Sequence, residues 1–264
     1  NDLCHEMDKT RMTTIAHVSM VPMENDMHHI TDVLSYNHYF GWYGGDVSMY
    51  GDWFDTFHKK YPNKAIGMSE YGCEALNWHT SNPEQGDYTE EYQAYYHEEV
   101  IKQIAKRPYL WATHVWNMFD FGVPMWSRGG VPARNLKGLI TFDRKIKKDS
   151  YYWYKANWSK DPVLYLTQRR NIDRERKHTS VTVYSNIGTP QVYLNGKELT
   201  GIRQGYTDVH YVLADVTLEQ GKNTIKTVAT YNGKEYTDEI EWNYTGEKKR
   251  SADWSENKEE HAGW

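Results

Sequence analysis

The feature that most constrains this chain is a change of texture at Asp161-Pro162. Before it, short apolar segments alternate with longer mixed stretches of helical spacing, the pattern of βα units. After it, short segments of alternating polarity follow one another between turn signals, the pattern of a small antiparallel sandwich. One chain must therefore build two kinds of core. With 264 residues, 39% of them hydrophobic, it has the material for both.

In the first part, residues 13–18, 33–39, 65–70 and 110–116 read as strands. Residues 49–61 read as a helix, with Trp53, Phe54 and Phe57 at helical spacing and Pro62 beyond its end. A second helix starts at the N-cap Thr89, carries Glu90 and Glu91 at the positive end of its dipole, and stops before Pro108. Helical crossovers of this kind make a parallel sheet. Residues 151–158 read as a closing helix with its aromatics packed inward, and the first residues as a chain opening within a helix. In the second part, residues 181–184, 191–194, 224–228 and 239–242 read as strands, bordered by Asn195-Gly196, Gln220-Gly221 and Asn232-Gly233. The expectation is an immunoglobulin-like sandwich over residues 161–245, followed by a charged linker or tail at 246–264.

Glu70 ends the third strand and is followed at once by Tyr71-Gly72, which places its carboxylate on the C-terminal rim, where catalytic groups gather in βα folds. A strand-end glutamate taken alone is by default a surface ion pair. Its neighbours argue for more. The second strand ends in Ser35-Tyr36-Asn37-His38-Tyr39-Phe40-Gly41-Trp42-Tyr43 and the fourth in His114-Val115-Trp116-Asn117-Met118-Phe119-Asp120-Phe121-Gly122. Three successive strands thus deliver polar aromatics, an amide and carboxylates to one rim.

At these residues the chain resembles glycoside hydrolase family 2, the group of β-galactosidases, β-glucuronidases and β-mannosidases. The matching pieces are Asn37-His-Tyr-Phe-Gly-Trp-Tyr43, Ser69-Glu-Tyr-Gly72, Asp87-Tyr-Thr-Glu-Glu-Tyr-Gln93, Val115-Trp-Asn-Met-Phe-Asp-Phe121 and Asn135-Leu-Lys-Gly-Leu-Ile-Thr-Phe-Asp-Arg-Lys145, in the family's order. The resemblance implies an α/β fold, with residues 1–160 as the C-terminal half of a TIM (β/α)8 barrel. It makes Glu70 the nucleophile of a retaining glycosidase, Tyr39 the phenol that orients it, and Trp116 part of the sugar subsite's wall. Tyr43 and His79 join the candidate sugar contacts. Asn117 and Asp120 could equally touch sugar hydroxyls or cap the following loop. Asn135 and Lys137 form an Asn-x-Lys pair that in β-glucuronidases grips the sugar carboxylate, but related β-galactosidase-like sequences carry it too. The segments around Trp78-His79 and Asp87 look more like the β-galactosidase branch, so a terminal β-D-galactoside is the expected substrate and a β-glucuronide the alternative.

A retaining glycosidase needs a second carboxyl group about 5 to 5.5 Å from the nucleophile. In the family it precedes a segment like Asp8-Lys-Thr-Arg-Met-Thr-Thr14, and Glu6 lies on the wrong element. The expectation is an acid/base before residue 1, an N-terminal remainder of the same enzyme as partner, and an inactive isolated chain. Oligomerisation stays open.

A net charge of −5 argues against nucleic acid or an anionic membrane as partner. No apolar run approaches membrane-spanning length, and the first residues lack a signal-peptide core. Two cysteines, Cys4 and Cys73, leave the compartment undetermined, with a bacterial-type cytoplasmic enzyme slightly favoured over a secreted one. No cofactor or metal is expected; His28-His29 and His114 read as solvated or core histidines. Lys145-Ile-Lys-Lys148 reads as a solvated face. A competing reading makes the sandwich a carbohydrate-binding or scaffolding module, which needs Tyr184, Tyr193, Tyr206, Tyr211 and Trp242 as an exposed row.

Overall fold

The computed structural model describes residues 1–80, 83–126 and 131–246. Helix α1 (Asp2–Met7) leads into β1 (Thr14–Val18), β2 (Val33–Asn37), α2 (Met49–Lys60), β3 (Ile66–Tyr71), α3 (Glu90–Ile104) and β4 (Thr113–Val115). The four strands pair in parallel in chain order. Leu34 and Tyr36 of β2 and Ile66 and Met68 of β3 are fully buried at alternate positions, as a sheet face requires. Against this core α2 sets Tyr50, Phe54 and Phe57, and α3 sets Tyr92, Tyr96 and Val100, each series at helical spacing. Thr89 caps α3 by accepting the Tyr92 amide at 3.1 Å, and α2 ends at Lys60, with Tyr61 as its C-cap before Pro62.

Two strands are shorter than their sequence suggests. β2 stops at Asn37 rather than at residue 39: the His38 amide still donates to the Glu70 carbonyl (3.0 Å), but the chain then leaves the ladder for a turn at residues 41–43. Gly41 completes the turn at φ +81°; a Cβ there would lie 2.7 Å from that of Val47. β4 keeps only Thr113–Val115, although the Trp111 amide and Ala112 carbonyl still bond Ile66 and Met68. Two-residue strands β5 (Phe121–Gly122) and β6 (Arg134–Asn135) pair antiparallel beyond β4 and are too short to show any periodicity. In α4 (Asp149–Trp158) the inward packing holds for one face: Trp153 and Tyr154 are buried, whereas Trp158 is exposed.

The second part comprises β7 (Leu164–Leu166), β8 (Asp173–Arg174), β9 (His178–Ser185), β10 (Gln191–Leu194), β11 (Lys197–Leu199), β12 (Arg203–Gln204), β13 (His210–Thr217), β14 (Gly221–Tyr231) and β15 (Lys234–Tyr244). They form sheets of order β11-β10-β14-β15-β8 and β12-β13-β9-β7. Leu166, Val181, Val183, Val192, Leu213, Ile225, Ile240 and Trp242 share the core between them. Asn195-Gly196 and Asn232-Gly233 take positive φ at both residues, the turns that match the twist of β-hairpins. β13 escapes a search for alternating polarity because its pairing with β9 shifts between Leu213 and Val216, and a bulge there breaks the period. Of the proposed tail, residues from 247 onward lie outside the described residues.

A charged seam joins the two parts. Glu90 of α3 is gripped by the Arg170 guanidinium (Nε–Oε2 2.6 Å) and accepts the Asp149 amide (2.7 Å). Asp149 accepts the Tyr165 hydroxyl (2.6 Å) and the Gln168 amide (2.6 Å), and Tyr184 donates to Glu98.

Candidate active site

The ladder between β2 and β3 slips after Tyr36, so that Asn37 comes to lie opposite Glu70. Such irregularities re-aim side chains at the end of a strand. Here the result is that Ser69 Oγ donates to Asn37 Oδ1 (2.6 Å) and Tyr39 Oη donates to Glu70 Oε2 (2.6 Å). Burial, and after it the bond to Glu70, pushes the Tyr39 phenol's pKa up, so the phenol stays protonated and remains a donor. Glu70 itself is half-buried.

The residues after Glu70 are fixed by contact with β4. A Cβ on Gly72 would stand 2.1 Å from the Trp116 carbonyl oxygen, so the close approach of the two strand ends requires glycine. The Trp116 amide donates to the Tyr71 carbonyl (2.8 Å), and Tyr71 is buried with its hydroxyl 3.0 Å from that of Tyr154. Trp116 is half-buried, edge-on to Phe121, and joined to Asn117 by a cis peptide bond. The Asn117 side chain accepts the Met118 amide (2.6 Å).

Lys137 is 1% exposed. Its Nζ donates to Tyr43 Oη (2.5 Å), lies 5.3, 4.6 and 5.4 Å from the ring centroids of Tyr39, Tyr43 and Trp126, and stands 3.9 Å from Glu74 Oε2. Rings stabilise an ammonium through their electron-rich faces, and the buried Glu74 carboxylate faces it with the opposite charge. Tyr39 thus touches both Glu70 and the Lys137 cluster. Trp126 was not among the sequence candidates; it sits alone in a Pro/Gly-rich loop, where no spacing marks it.

Asp120 and Asn135 face inward. Asp120 is 3% exposed and its Oδ1 accepts the Gly138 amide (2.8 Å) and Lys148 Nζ (3.0 Å), so of its two readings the geometry supports the loop cap. Burial raises its pKa and Lys148 opposes that rise. Asn135 Oδ1 accepts the Lys137 amide (3.0 Å) and shapes the backbone beneath Lys137. His79 is exposed in the loop after β3, with its amide bonded to the Leu76 carbonyl. In the sandwich, Tyr184, Tyr211 and Trp242 are buried, so the five aromatics do not form an exposed row. His28 is buried against His17 and Tyr36, its Nε2 2.7 Å from Tyr36 Oη. Among the described residues no cluster of three His, Cys, Asp or Glu side chains could hold a metal, and no helix is long and apolar enough to cross a membrane.

A half-buried carboxylate whose rotamer is held by a neutral donor can form and break a bond to an electrophilic carbon. Known proteins share this architecture. The chain is 37% identical over 251 residues to a β-glucuronidase of Bacteroides fragilis, an alignment covering 92% of this chain and 35% of that protein. A Bacteroides fragilis crystal structure provisionally named a β-galactosidase superimposes with a TM-score of 0.90 at 53% identity, over 94% of this chain and 38% of its own. The relatives are glycosidases. The FMN-binding β-glucuronidase of Faecalibacterium prausnitzii L2-6 matches at TM-score 0.85 and 48% identity, over 92% of this chain and 37% of its own. These glycosidases are consistent with a relative of glycoside hydrolase family 2. No protein-family model matches the chain. The chain spans about a third of the length of the curated relatives it matches.

Proposed function

We propose that this chain carries the nucleophile's half of a retaining exo-β-glycosidase site, and that the sugar it serves is a β-glucuronide. The observation that carries the reading is the 2.6 Å bond from Tyr39 to Glu70 on the rim of a parallel sheet. With Oε2 bonded to the phenol, Oε1 attacks the anomeric carbon and forms a glycosyl ester as the bond to the leaving oxygen breaks. A second carboxyl group protonates that oxygen, then takes a proton from the water that attacks the same carbon and releases Glu70.

The second carboxyl is assigned to the rest of a (β/α)8 barrel, of which residues 1–160 are half, with residues 161–245 as an immunoglobulin-like domain beside it. Among the described residues β1 and β4 each have one strand neighbour, and Leu3, Met7, Met12, Val18 and Met20 on and around α1 and β1 are exposed. Four further strands would cover both edges and this apolar surface. The chain alone is expected to turn over no nitrophenyl glycoside.

The sugar assignment rests on Lys137. A carboxylate at C6 entering beside the 40% exposed Tyr43 would accept from Tyr43 Oη and Lys137 Nζ, whereas a galactose hydroxyl gains little from a desolvated ammonium. We set the glucuronide ahead of the galactoside expected from the segments around His79. The test is an enzyme of the relatives' full length carrying this sequence, assayed on 4-nitrophenyl β-glucuronide and β-galactoside, then trapped with a 2-deoxy-2-fluoroglycosyl fluoride. Faster turnover of the glucuronide and a mass adduct on the Glu70 peptide are expected. An adduct on any other residue sinks the nucleophile; preference for the galactoside sinks the sugar.

A further inference from the structure

The basic run 145–148 does not form one solvated face: Lys145 and Lys147 are exposed, but Lys148 is fully buried. Its Nζ donates to the Ala75 carbonyl (2.8 Å), Asp120 Oδ1 (3.0 Å) and the Leu136 carbonyl (3.0 Å). An ammonium has three N–H donors, and here three acceptors meet them, which is the condition for tolerating a desolvated charge. Burial pulls the Lys148 pKa down and Asp120 opposes the fall.

The three acceptors lie on the three segments that carry the candidate site. Ala75 follows the strand ending in Glu70-Tyr71, Asp120 follows Trp116-Asn117, and Leu136 precedes Lys137. Around Lys137 the backbone is bonded at each step. The Leu136 amide donates to Glu74 Oε1 (3.0 Å), the Lys137 carbonyl accepts the Asn117 amide (3.1 Å), and the Gly138 amide donates to Asp120 Oδ1 (2.8 Å). A Cβ on Gly138 would lie 2.0 Å from the Asp120 amide nitrogen, so this strip has no slack on that side. Lys148 is the group common to all three segments. Remove it and both Asp120 and the Leu136 carbonyl lose a buried donor, which frees the strip on which Lys137 stands.

We infer that Lys148 is a positioning residue for sugar-acid recognition. It touches no substrate, and it fixes the backbone from which Lys137 reaches Tyr43 beside Glu70. The inference rests on the proposed glucuronide reading and adds the residue that sets the cation's place.

The experiment compares wild type, Lys148→Met and Asp120→Asn in the full-length enzyme on 4-nitrophenyl β-glucuronide. Asp120→Asn keeps an acceptor for the Gly138 amide and serves if Lys148→Met fails to fold. Misplacing a binding group by a fraction of an ångström is expected to raise KM about tenfold in Lys148→Met, and about threefold in Asp120→Asn, with kcat within about twofold of wild type. Inhibition by free glucuronate should weaken in the same proportion, while inhibition by glucose should not change. An unchanged KM in a folded variant overturns the inference, as does a fall in kcat equal to that in kcat/KM, which would mean that Lys148 serves Glu70 or the fold at large. A wild-type enzyme active on the galactoside and inert on the glucuronide overturns the sugar assignment and this inference together, and shows itself before any variant is made.

Discussion

The rim around Glu70 and the seam between α3 and the sandwich both draw carboxylates out of water, and they treat them in opposite ways. At the rim Glu70 is half-buried and its oxygen is bonded by a neutral phenol. At the seam Glu90 is 2% exposed, held by both arms of Arg170 and by the Asp149 amide, and Asp149 takes a hydroxyl, an amide and the same arginine. A carboxylate that must become an ester gains from a donor that fixes its rotamer without neutralising it. A carboxylate that only joins two packed surfaces is best saturated by cations and donors, since any orphaned charge there is costly. Glu98 at the seam also takes a phenol, from Tyr184, so what sets Glu90 and Asp149 apart from Glu70 is the Arg170 guanidinium.

Substitutions can break this contrast, beginning with the largest effect. In the full-length enzyme Glu70→Gln should lower kcat by on the order of 10⁴-fold or more, as loss of a nucleophile does, while the urea midpoint stays at the wild-type value. A drop in midpoint alongside would place Glu70 with the seam acids. Conversely, Arg170→Met in this chain should cost about 3–5 kcal/mol of stability, because it strands Glu90 and Asp149 in the interior. Equilibrium urea unfolding reads this directly, and a loss below about 1 kcal/mol would show that the seam is hydrated and weakly coupled.

Tyr39→Phe removes one charge-assisted hydrogen bond, so a 10- to 100-fold fall in kcat of the full-length enzyme is expected, with little change in KM. The smallest effect sharpens the seam. Burial pushes the Glu91 carboxyl from about 4.5 up to about 8, and Arg174 opposes the shift only in part. The folded state therefore holds this proton more tightly than the unfolded chain does. Stability from this group is full below the ordinary carboxyl pKa and is lost as pH rises through about 8. Urea midpoints at pH 5, 7 and 8.5 should fall with pH in wild type and fall less in Glu91→Gln; parallel curves would remove Glu91 from the pH response.

Much of the fold follows from short-range rules. The βα alternation, the Thr89 cap and the Asn-Gly hairpins are decided by residues a few positions apart, and the structure has them where the spacing puts them. β13 was hidden because one bulge cancels the period on which such reading depends. The Glu70–Tyr39 contact was legible by another route, the family resemblance, whereas the register slip that sets Asn37 opposite Glu70 was not.

Side chains whose meaning depends on distant partners were not legible. Glu90 looks like a helix-dipole residue and is in fact the anchor of Arg170, 80 positions away. Lys148 looks solvated and is the buried hub under the site, and Asp120 looks like a rim residue and is its counterion. Lys137 reaches its place only because Tyr43, 94 positions earlier, closes over it with Trp126. By itself the sequence determined the order of βα units followed by short strands, the Thr89 cap, the Asn-Gly turns and the carboxylate near the end of β3, since propensity, capping and strand alternation act locally. Which charges are buried, what neutralises them and which cation stands against Tyr43 were decided by tertiary packing, because desolvation and ion pairing depend on what the fold brings within a few ångströms, whatever the separation along the chain.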